Sequence, residues 1–299
     1  MDSMPTAAHR HSGRLAAALG VSVGILVVEL VAGLASNSLA LLADAGHVFA
    51  DVSGIAFALV AVRLAARPRT DERTFGLYRL EIVAAAANAI LLLGIAVFIF
   101  YEAVRRLVSP PEVEAGIVTV VAAGVLLANL VSVRLLHAGQ RESLTVRGAY
   151  IEVLGDLFGA AAVLVAGLVI LATGWSQADA VASMAVAVLI VPRTLSLLRD
   201  SLDVLMEATP KGVDLDRVRQ HILDAPGVSD VHDLHAWTIT SGMNVVSAHV
   251  VLGPEAKAGD VLDYLGMCLS DDFDVKHSTF QLETPEHVVW EGRTAQPQH

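Results

Sequence analysis

The hydrophobic and polar positions divide the chain into two parts of different character. Between about residues 14 and 198, long apolar runs alternate with short polar or turn-forming stretches. A helix needs about 20 apolar residues to cross a bilayer, and each run is long enough to do so. The predicted membrane-spanning helices cover residues 14–35, 38–63, 80–106, 115–136, 146–173 and 177–198.

After about residue 206 the pattern changes to short elements typical of a water-exposed domain. Apolar residues at helical spacing follow Asp214, which can cap the helix, and β-branched runs flank the turn residues Ser241 and Gly242. The predicted elements are a helix at 214–223, strands at 228–240 and 244–252, a helix at 260–269 and a strand at 278–283. The order αββαβ predicts a small two-layer α+β domain.

The composition supports a membrane protein. Hydrophobic residues make up 55% of the chain and charged residues 17%, with a mean hydropathy of +0.61, whereas a soluble domain has about a quarter charged residues. The net charge of −11 does not suggest a nucleic-acid partner. The one cysteine, Cys268, excludes an intramolecular disulfide and a cysteine-based metal cluster. The predicted organisation is a cytoplasmic tail at 1–13, a six-helix membrane domain at 14–205, a cytoplasmic domain at 206–291 and a disordered tail at 292–299.

The positions of the arginines predict the orientation in the membrane. Those that fall on one side are Arg10, Arg14, Arg63, Arg67, Arg69, Arg73, Arg79, Arg134, Arg141, Arg147, Arg193 and Arg199. Arg105 and Arg106 fall on the other side. Basic residues concentrate in cytoplasmic loops, so both termini are expected in the cytoplasm. The first apolar run continues too far for a cleaved signal peptide and is expected to remain as a helix.

Two pairs of ionisable residues lie inside the apolar runs. His47 and Asp51 are four residues apart, and Glu152 and Asp156 have the same spacing, which places each pair on one helix face. Ionisable groups at membrane depth are costly and usually bind something or line a water path. One imidazole and three carboxylates can form a four-ligand site for a divalent cation. The alternative is two unrelated polar faces that line a watery crevice, and Asp44 is a further candidate ligand beside His47.

These motifs resemble those of the cation diffusion facilitator family, the zinc-type antiporters of divalent metals and protons. The resemblance runs over nearly the whole chain. It is carried by SLALLADAGHVFADV (38–52), RTFGLYRLEIVAAAANA (73–89), YIEVLGDLFG (150–159), VHDLHAWTITSGMNVVSAHV (231–250) and HSTFQLE (277–283). It implies a homodimer in a membrane, with six helices per protomer and a metallochaperone-like cytoplasmic domain. Such a protein exchanges a cytosolic metal for protons by alternating access, here most simply across a bacterial plasma membrane.

The resemblance implies that His47, Asp51, Glu152 and Asp156 form the transport site. Zinc-type members have histidine at the position of Glu152, and a carboxylate there makes the site harder and more negative. Such a site favours Mn²⁺ more than a two-histidine site does, but zinc also accepts carboxylates. Zn²⁺ is therefore the expected cargo, with Mn²⁺, Fe²⁺, Co²⁺ and Cd²⁺ as alternatives.

The resemblance also implies a regulatory metal site at His232, His249 and Glu283 in the C-terminal domain. His232 and His235 differ by three positions, so in a regular strand they face opposite sides and cannot serve one site. His235 and His277 are therefore second-rank candidates. The alternative is that these histidines lie on a polar sheet face without a metal.

Further expectations concern a charge pair, the remaining histidines and the class of protein. Arg79 and Glu207 match a charge pair that joins the two domains in the family. The loop at 71–79 has no histidine and is expected to lack a metal site, while His9, His11 and His137 are expected to be solvated. An intramembrane metalloenzyme would need an open metal position, for which four protein ligands leave little room. A metal sensor would leave the membrane pairs unexplained, so we expect a transporter and not an enzyme.

Overall fold

The computed structural model describes residues 12–65, 67–137, 144–273 and 275–294. The expectations for His9, Arg10, His11, Arg141 and residues 295–299 lie outside this part of the chain. Six helices in it are long and apolar enough to cross a membrane, which confirms the six-helix expectation. They are α1 (Ser12–Ser36), α2 (Leu39–Ala65), α3 (Leu80–Val108), α4 (Ala115–His137), α5 (Leu144–Thr173) and α6 (Gln177–Leu205).

The start of α2 is fixed by a carboxylate from another helix. Asp179, in the first turn of α6, accepts hydrogen bonds from Ser38 Oγ at 2.5 Å, Leu39 N at 2.7 Å and Ala40 N at 3.3 Å. The first N–H groups of a helix have no partner within the helix, and a carboxylate there also interacts favourably with the helix dipole. Asp179 is buried, with 1% of its surface exposed. This cap therefore determines where the helix that carries His47 and Asp51 begins.

Glycines allow the membrane helices to approach one another closely. A Cβ atom on Gly46 would lie 2.9 Å from Ile95 Cγ2, one on Gly54 would lie 2.8 Å from Asn88 Nδ2, and one on Gly159 would lie 2.9 Å from Asp44 Oδ1. These distances are shorter than normal contacts, so a larger residue would have to displace the facing side chain. Close approach through small residues is the usual way in which membrane helices pack.

The two arginines that contradict the orientation rule have partners at the same end of the helices. Arg105 Nη1 lies 3.0 Å from Glu102 Oε2, and Arg106 Nε lies 3.3 Å from Glu102 Oε1. Arg106 also donates to the carbonyl oxygen of Asn37 at 2.7 Å. Both charges are therefore engaged in local structure, which offsets the cost of placing them there.

The C-terminal domain is built on a three-stranded sheet in the order β1-β2-β3, formed by Val228–Thr238, Asn244–Leu252 and Val275–Glu283. β1 and β2 are antiparallel, while β2 and β3 are parallel and are connected through a helix. Helices α7 (Leu215–Leu223) and α8 (Ala258–Phe273) supply Val218, Ile222, Val261, Leu265 and Leu269 to the core beneath this sheet. Six membrane-spanning helices followed by a small α+β domain is the predicted fold class.

The elements of this domain occur in the predicted order, although α8 and β3 are longer than predicted and a further helix follows them. Asp214 caps α7 as predicted, since its carboxylate accepts hydrogen bonds from the N–H groups of Asp216 and Arg217. An unpredicted helix, α9, covers Pro285–Thr294 and so includes the first three residues of the expected disordered tail. Hydrogen bonding by the Glu286 backbone and by Thr284 holds the pKa of Glu286 below its usual range at the start of α9. Cys268 is half-buried on α8, and burial raises the pKa of its thiol, as expected for a small packing residue.

The chain forms two compact units. The first contains the described residues up to Val60 together with Ala84–Leu198, and the second contains Ala61–Val83 together with the described residues from Arg199 onward. Within the second unit, Arg79 Nη2 lies 2.6 Å from Glu207 Oε1, so the predicted charge pair is present. Glu81 accepts hydrogen bonds from Thr240 Oγ1 at 2.5 Å and from Ser241 Oγ at 2.9 Å, at the turn between β1 and β2.

Candidate metal centres

The first candidate centre begins with two residues on one face of α2. His47 and Asp51 are one helical turn apart, and His47 Nε2 lies 3.4 Å from Asp51 Oδ2. His47 keeps 13% of its side-chain surface exposed and Asp51 keeps 25%. Both side chains are thus largely buried but remain accessible to a small ion.

Helix α5 adds the third residue. Asp156 Oδ1 lies 3.3 Å from the same His47 Nε2, and its side chain is 12% exposed. One donor atom from each of His47, Asp51 and Asp156 fits within 4.8 Å of the others, which is close enough for all three to hold one metal ion. The structure therefore brings together three of the four residues that the sequence predicted as transport ligands. We call this group the membrane cluster.

Glu152, the fourth predicted ligand, lies near the membrane cluster but has a different partner. Its Oε1 atom is 3.3 Å from Arg193 Nη2 on α6. Glu152 and Arg193 line the same cavity as the membrane cluster, and the volume of this cavity is about 250 Å³. Whether Glu152 binds the cargo stays a prediction, because its carboxylate is paired with a guanidinium in the structure.

The cavity also contains polar side chains to which the sequence assigned no definite role. Asp44 is 3% exposed and Asn88 is 9% exposed, and both line the cavity. Gly54 and Gly159 stand three residues after Asp51 and Asp156, and they leave room for these side chains, Gly159 for Asp44 and Gly54 for Asn88. The signal for this packing was the glycine three residues after each aspartate, but its partner could not be identified without the structure.

The donor atoms of the membrane cluster suit a divalent cation. An imidazole nitrogen and carboxylate oxygens are accepted by zinc and by the other first-row divalent metals. The carboxylates of Asp51 and Asp156 together balance the charge of one divalent ion. A metal at this position can therefore be bound without a net charge on the three-residue cluster.

The second candidate centre lies on the sheet of the C-terminal domain. His232 Nε2 is 3.1 Å from Glu283 Oε2, and His249 Nδ1 is 2.8 Å from Glu283 Oε1. The side chain of Glu283 is only 1% exposed, while those of His232 and His249 are 33% and 24% exposed. The donor atoms of these three residues also lie within 4.8 Å of one another. We call this group the sheet cluster, and its members are the three residues predicted from the sequence.

The reason given above for preferring His232 over His235 was wrong. His232 pairs with His249 and His235 pairs with Ser247, so three steps along β1 match two steps along β2. This is a β-bulge, in which one strand has one residue more than its partner. Because of the extra residue, side chains three positions apart across the bulge point to the same face of the sheet. His232 and His235 therefore face the same side of the sheet. Asp233, in the bulge, has the positive φ angle of 51° that non-glycine residues rarely adopt.

Neither second-rank histidine belongs to the sheet cluster. His235 Nε2 lies 3.1 Å from Asp233 Oδ1, and the ring of His277 packs edge-on against Phe75 with 6.1 Å between ring centres. Asp233 is also near the cluster, since its Oδ2 atom is 3.8 Å from His249 Nε2. This carboxylate can influence the orientation of the His249 ring, because the second nitrogen of a ligand histidine commonly faces a carboxylate.

Comparison with known proteins assigns both parts of the chain to one family. Residues 15–206 match the model of the cation efflux transmembrane domain, and residues 210–285 match that of the cation efflux protein, cytoplasmic domain. The metal cation efflux system protein CzcD of Cupriavidus metallidurans is 44% identical over 283 residues, which cover 92% of this chain and 89% of that protein. The zinc transporter ZitB of Escherichia coli is 40% identical over 272 residues, covering 90% of this chain and 87% of the transporter.

Two further similarities extend this comparison. A cadmium, cobalt and zinc/H(+)-K(+) antiporter of Bacillus subtilis is 35% identical over 269 residues, covering 88% of this chain and 86% of the antiporter. A solved structure, the metal-bound C-terminal domain of the CzcD transporter, is 43% identical with a TM-score of 0.23 and covers 24% of this chain and 99% of the solved one. From the two family models and the relatives that match over most of its length, this chain is a member of the cation efflux, or cation diffusion facilitator, family of transporters.

Proposed function

We propose that this metal cation efflux transporter exports Zn²⁺ from the cytosol in exchange for protons. The observation that carries the proposal is the membrane cluster, in which His47, Asp51 and Asp156 converge from α2 and α5 within one cavity. Charged residues inside membrane helices mark ion paths far more often than structural roles. A catalytic metal keeps one position open for water, and four protein ligands would leave little room for it, which favours transport over catalysis.

The ligand chemistry supports exchange with protons at the same site. A metal binds imidazole in its neutral form and carboxylates in their ionised form, so protons and metal compete for the same donor atoms. A proton that enters from the more acidic side displaces the metal there, and metal that enters from the cytosol displaces the protons. One cluster that faces the two sides in turn can therefore couple the two fluxes.

Zinc is proposed as the cargo because of the donor set and the relatives. Similar proteins are named as transporters of zinc, or of cadmium, cobalt and zinc, and one imidazole with two carboxylates is a normal zinc environment. Mn²⁺, Fe²⁺, Co²⁺ and Cd²⁺ remain the alternative cargoes, since the extra carboxylate of Glu152 makes the cavity more favourable to harder ions.

The sheet cluster is proposed as a regulatory metal site. Its three residues come from three neighbouring strands, and the buried Glu283 carboxylate lies between the two imidazoles. A metal held there stabilises the sheet by joining strands that only hydrogen bonds connect otherwise. The donor set again suits zinc.

The arrangement in the cell is proposed from the sequence and the family. The protein is an integral multi-pass membrane protein, and we place it in a bacterial plasma membrane with both termini in the cytoplasm. The description of the matching family model as a cytoplasmic domain supports this orientation for residues 210–285. The family model that matches residues 210–285 carries the name ZT_dimer, which supports a homodimer surrounded by membrane lipid.

Transport into sealed vesicles tests the proposal. Proteoliposomes with an internal zinc indicator and an internal pH dye should show zinc entry accompanied by proton release. The Asp51→Ala variant should lose both signals because it removes a charged ligand, while Asp203→Ala, a loss of one acidic residue outside the cavity, should keep them. Zinc entry without a pH change would contradict proton exchange, and normal transport by a folded Asp51→Ala variant would contradict the site.

A further inference from the structure

The cavity wall contributed by α6 carries one charge in an otherwise uncharged stripe. Its residues recur at helical spacing and so share one face of the helix. They are Val186, Leu189, Ile190, Arg193, Thr194 and Leu197. Arg193 is therefore directed at the same space as the membrane cluster, although the sequence suggested only a role in membrane orientation.

Two carboxylates on α5 have different partners in this cavity. Asp156 lies 3.3 Å from the imidazole of His47, whereas Glu152, one turn earlier on the same helix, lies 3.3 Å from the guanidinium of Arg193. The side chain of Glu152 is 33% exposed and that of Arg193 is 60% exposed. The pair is thus accessible to water, and such pairs exchange partners easily because each contributes little free energy.

Charge counting gives this pairing a role in metal binding. A divalent ion balances Asp51 and Asp156, so recruitment of a third carboxylate leaves the metal site with one excess negative charge. Arg193 supplies the compensating positive charge for Glu152. A guanidinium is always protonated, so it cannot yield this position by losing a proton. Metal that uses Glu152 Oε1 must replace Arg193 as its partner.

We propose that Arg193 is an affinity-determining residue that competes with the transported metal for Glu152. This inference rests on the proposed function of the membrane cluster as the transport site. Arg193 lowers the affinity of the cavity for metal, which favours release after the site has turned to the other side of the membrane. Its effect on metal acts through Glu152 and disappears when that carboxylate is removed.

The test is calorimetric titration of Zn²⁺ into the purified full-length protein in detergent at neutral pH. All variants carry His232→Ala and His249→Ala, so that the sheet cluster does not contribute to binding. Arg193→Gln should bind zinc about threefold to fivefold more tightly, which is the range of an exposed ion pair. In a Glu152→Gln background, the same arginine change should alter the affinity by less than about twofold. Arg199→Gln, which removes an arginine from the same helix outside the cavity, should have no effect.

Two outcomes overturn the inference. Weaker or unchanged binding in Arg193→Gln would show that the arginine supports the site or plays no part in it. An equal gain with and without Glu152 would show a general effect of charge and no competition for that carboxylate. If Arg193→Gln does not elute as a folded protein, Arg193→Met replaces it, since it is also uncharged and keeps an apolar stem.

An Asp51→Asn variant separates this inference from the proposed function. Loss of zinc binding in Asp51→Asn, together with no response to Arg193→Gln, would reject the competition and keep the transport site. Zinc binding that is unaffected by Asp51→Asn, or absent from the parent protein, would reject the transport site and the competition with it.

Discussion

The membrane cluster and the sheet cluster use the same kinds of ligand on opposite kinds of support. His47, Asp51 and Asp156 come from two separate helices, each of which satisfies its backbone hydrogen bonds internally. His232, His249 and Glu283 come from three strands that share those bonds. Two helices can move relative to each other without breaking backbone hydrogen bonds, but strands in a sheet cannot. The first support suits binding and release of an ion, and the second suits its retention.

The largest effect is expected from Asp156→Ala. This change removes the ligand that α5 contributes to the membrane cluster, so only Glu152, which is paired with Arg193, is left on α5 to contact the ion. We expect zinc transport in vesicles to fall by at least about a hundredfold, which corresponds to roughly 2.8 kcal/mol or more of lost ligand interaction. Zinc-dependent stabilisation by the sheet cluster should persist in the same protein. Loss of both properties together would show that the two clusters are not independent.

Replacement of Glu152 by histidine should change which metal is transported. The variant has two imidazoles and two carboxylates, a softer donor set that is neutral with a divalent ion. We expect the ratio of zinc to manganese transport to rise roughly tenfold if about 1.4 kcal/mol of ligand preference is involved. Imidazole keeps its proton to a higher pH than an ordinary carboxylate, and a protonated ligand cannot bind metal. As the pH is lowered, transport by the variant should therefore begin to fall at a higher pH than transport by the parent protein.

Initial rates for both metals between pH 6 and 8, in vesicles of equal protein content, measure the change at Glu152. Glu152→Gln serves as the matched control, since it removes the charge without adding a nitrogen ligand. An unchanged metal ratio and pH profile in Glu152→His would exclude Glu152 as a ligand. The site would then consist of His47, Asp51 and Asp156, with Asp44 as the candidate for completing it.

A smaller effect on transport is expected from the sheet cluster. His232→Ala combined with His249→Ala removes both imidazoles but leaves the membrane cluster intact. Transport should fall only about twofold to threefold. In an Asp51→Asn background, which removes the contribution of the membrane cluster, the rise in melting temperature on zinc addition should be lost, since only metal that binds the folded state stabilises it. His221→Ala with His287→Ala, two histidines outside the cluster, is the control. Equal zinc-dependent stabilisation before and after the cluster substitution would reject the assignment.

The smallest expected effect is that of Asp233→Asn. Asparagine tolerates the positive φ angle at this position, so the bulge should remain while the negative charge beside His249 is lost. With 3.8 Å between the carboxylate and His249 Nε2, we expect zinc affinity at the sheet cluster to fall about threefold. Titration of the full-length protein in an Asp51→Asn background measures this, with Asp271→Asn on α8 as control. An unchanged affinity would show that Asp233 does not influence His249.

Much of the fold followed from the sequence because its signals are local. Long apolar runs identify the six membrane helices, and β2 has the predicted ends because it is rich in valine and directly follows a turn. Helix α9 was missed although Thr284 and Pro285 are good first residues for a helix, because the segment is short and rich in charges. The bulge at Asp233 was also missed. Val231, Leu234 and Ala236 all pack in the core, so the alternation changes phase at the bulge, but one change of phase within a short strand is a weak signal.

The sequence predicted which site residues lie together only where both residues belong to one helix, because their separation along the chain then places them on one face. His47 and Asp51 share a helix face by their separation, so their proximity followed from the sequence. The pairing of Glu152 with Arg193 joins different helices, and a local pattern cannot reveal it. For the same reason Asp179 could not be identified as the cap of α2, which lies about 140 residues earlier in the chain.

The bulge in β1 limits which changes of length this strand can tolerate. Deletion of Asp233 would remove the extra residue and leave a regular strand, in which His232 and His235 still face the same side of the sheet. Insertion of one further residue between them would instead turn every residue on one side of the insertion to the opposite face. Either His232 would leave the metal-binding face, or the buried residues beyond the bulge, such as Ala236, would turn outward. Single deletions here should therefore be tolerated better among functional relatives than single insertions. In an alignment of such proteins, an inserted residue between His232 and His235 would mark the loss of the sheet cluster.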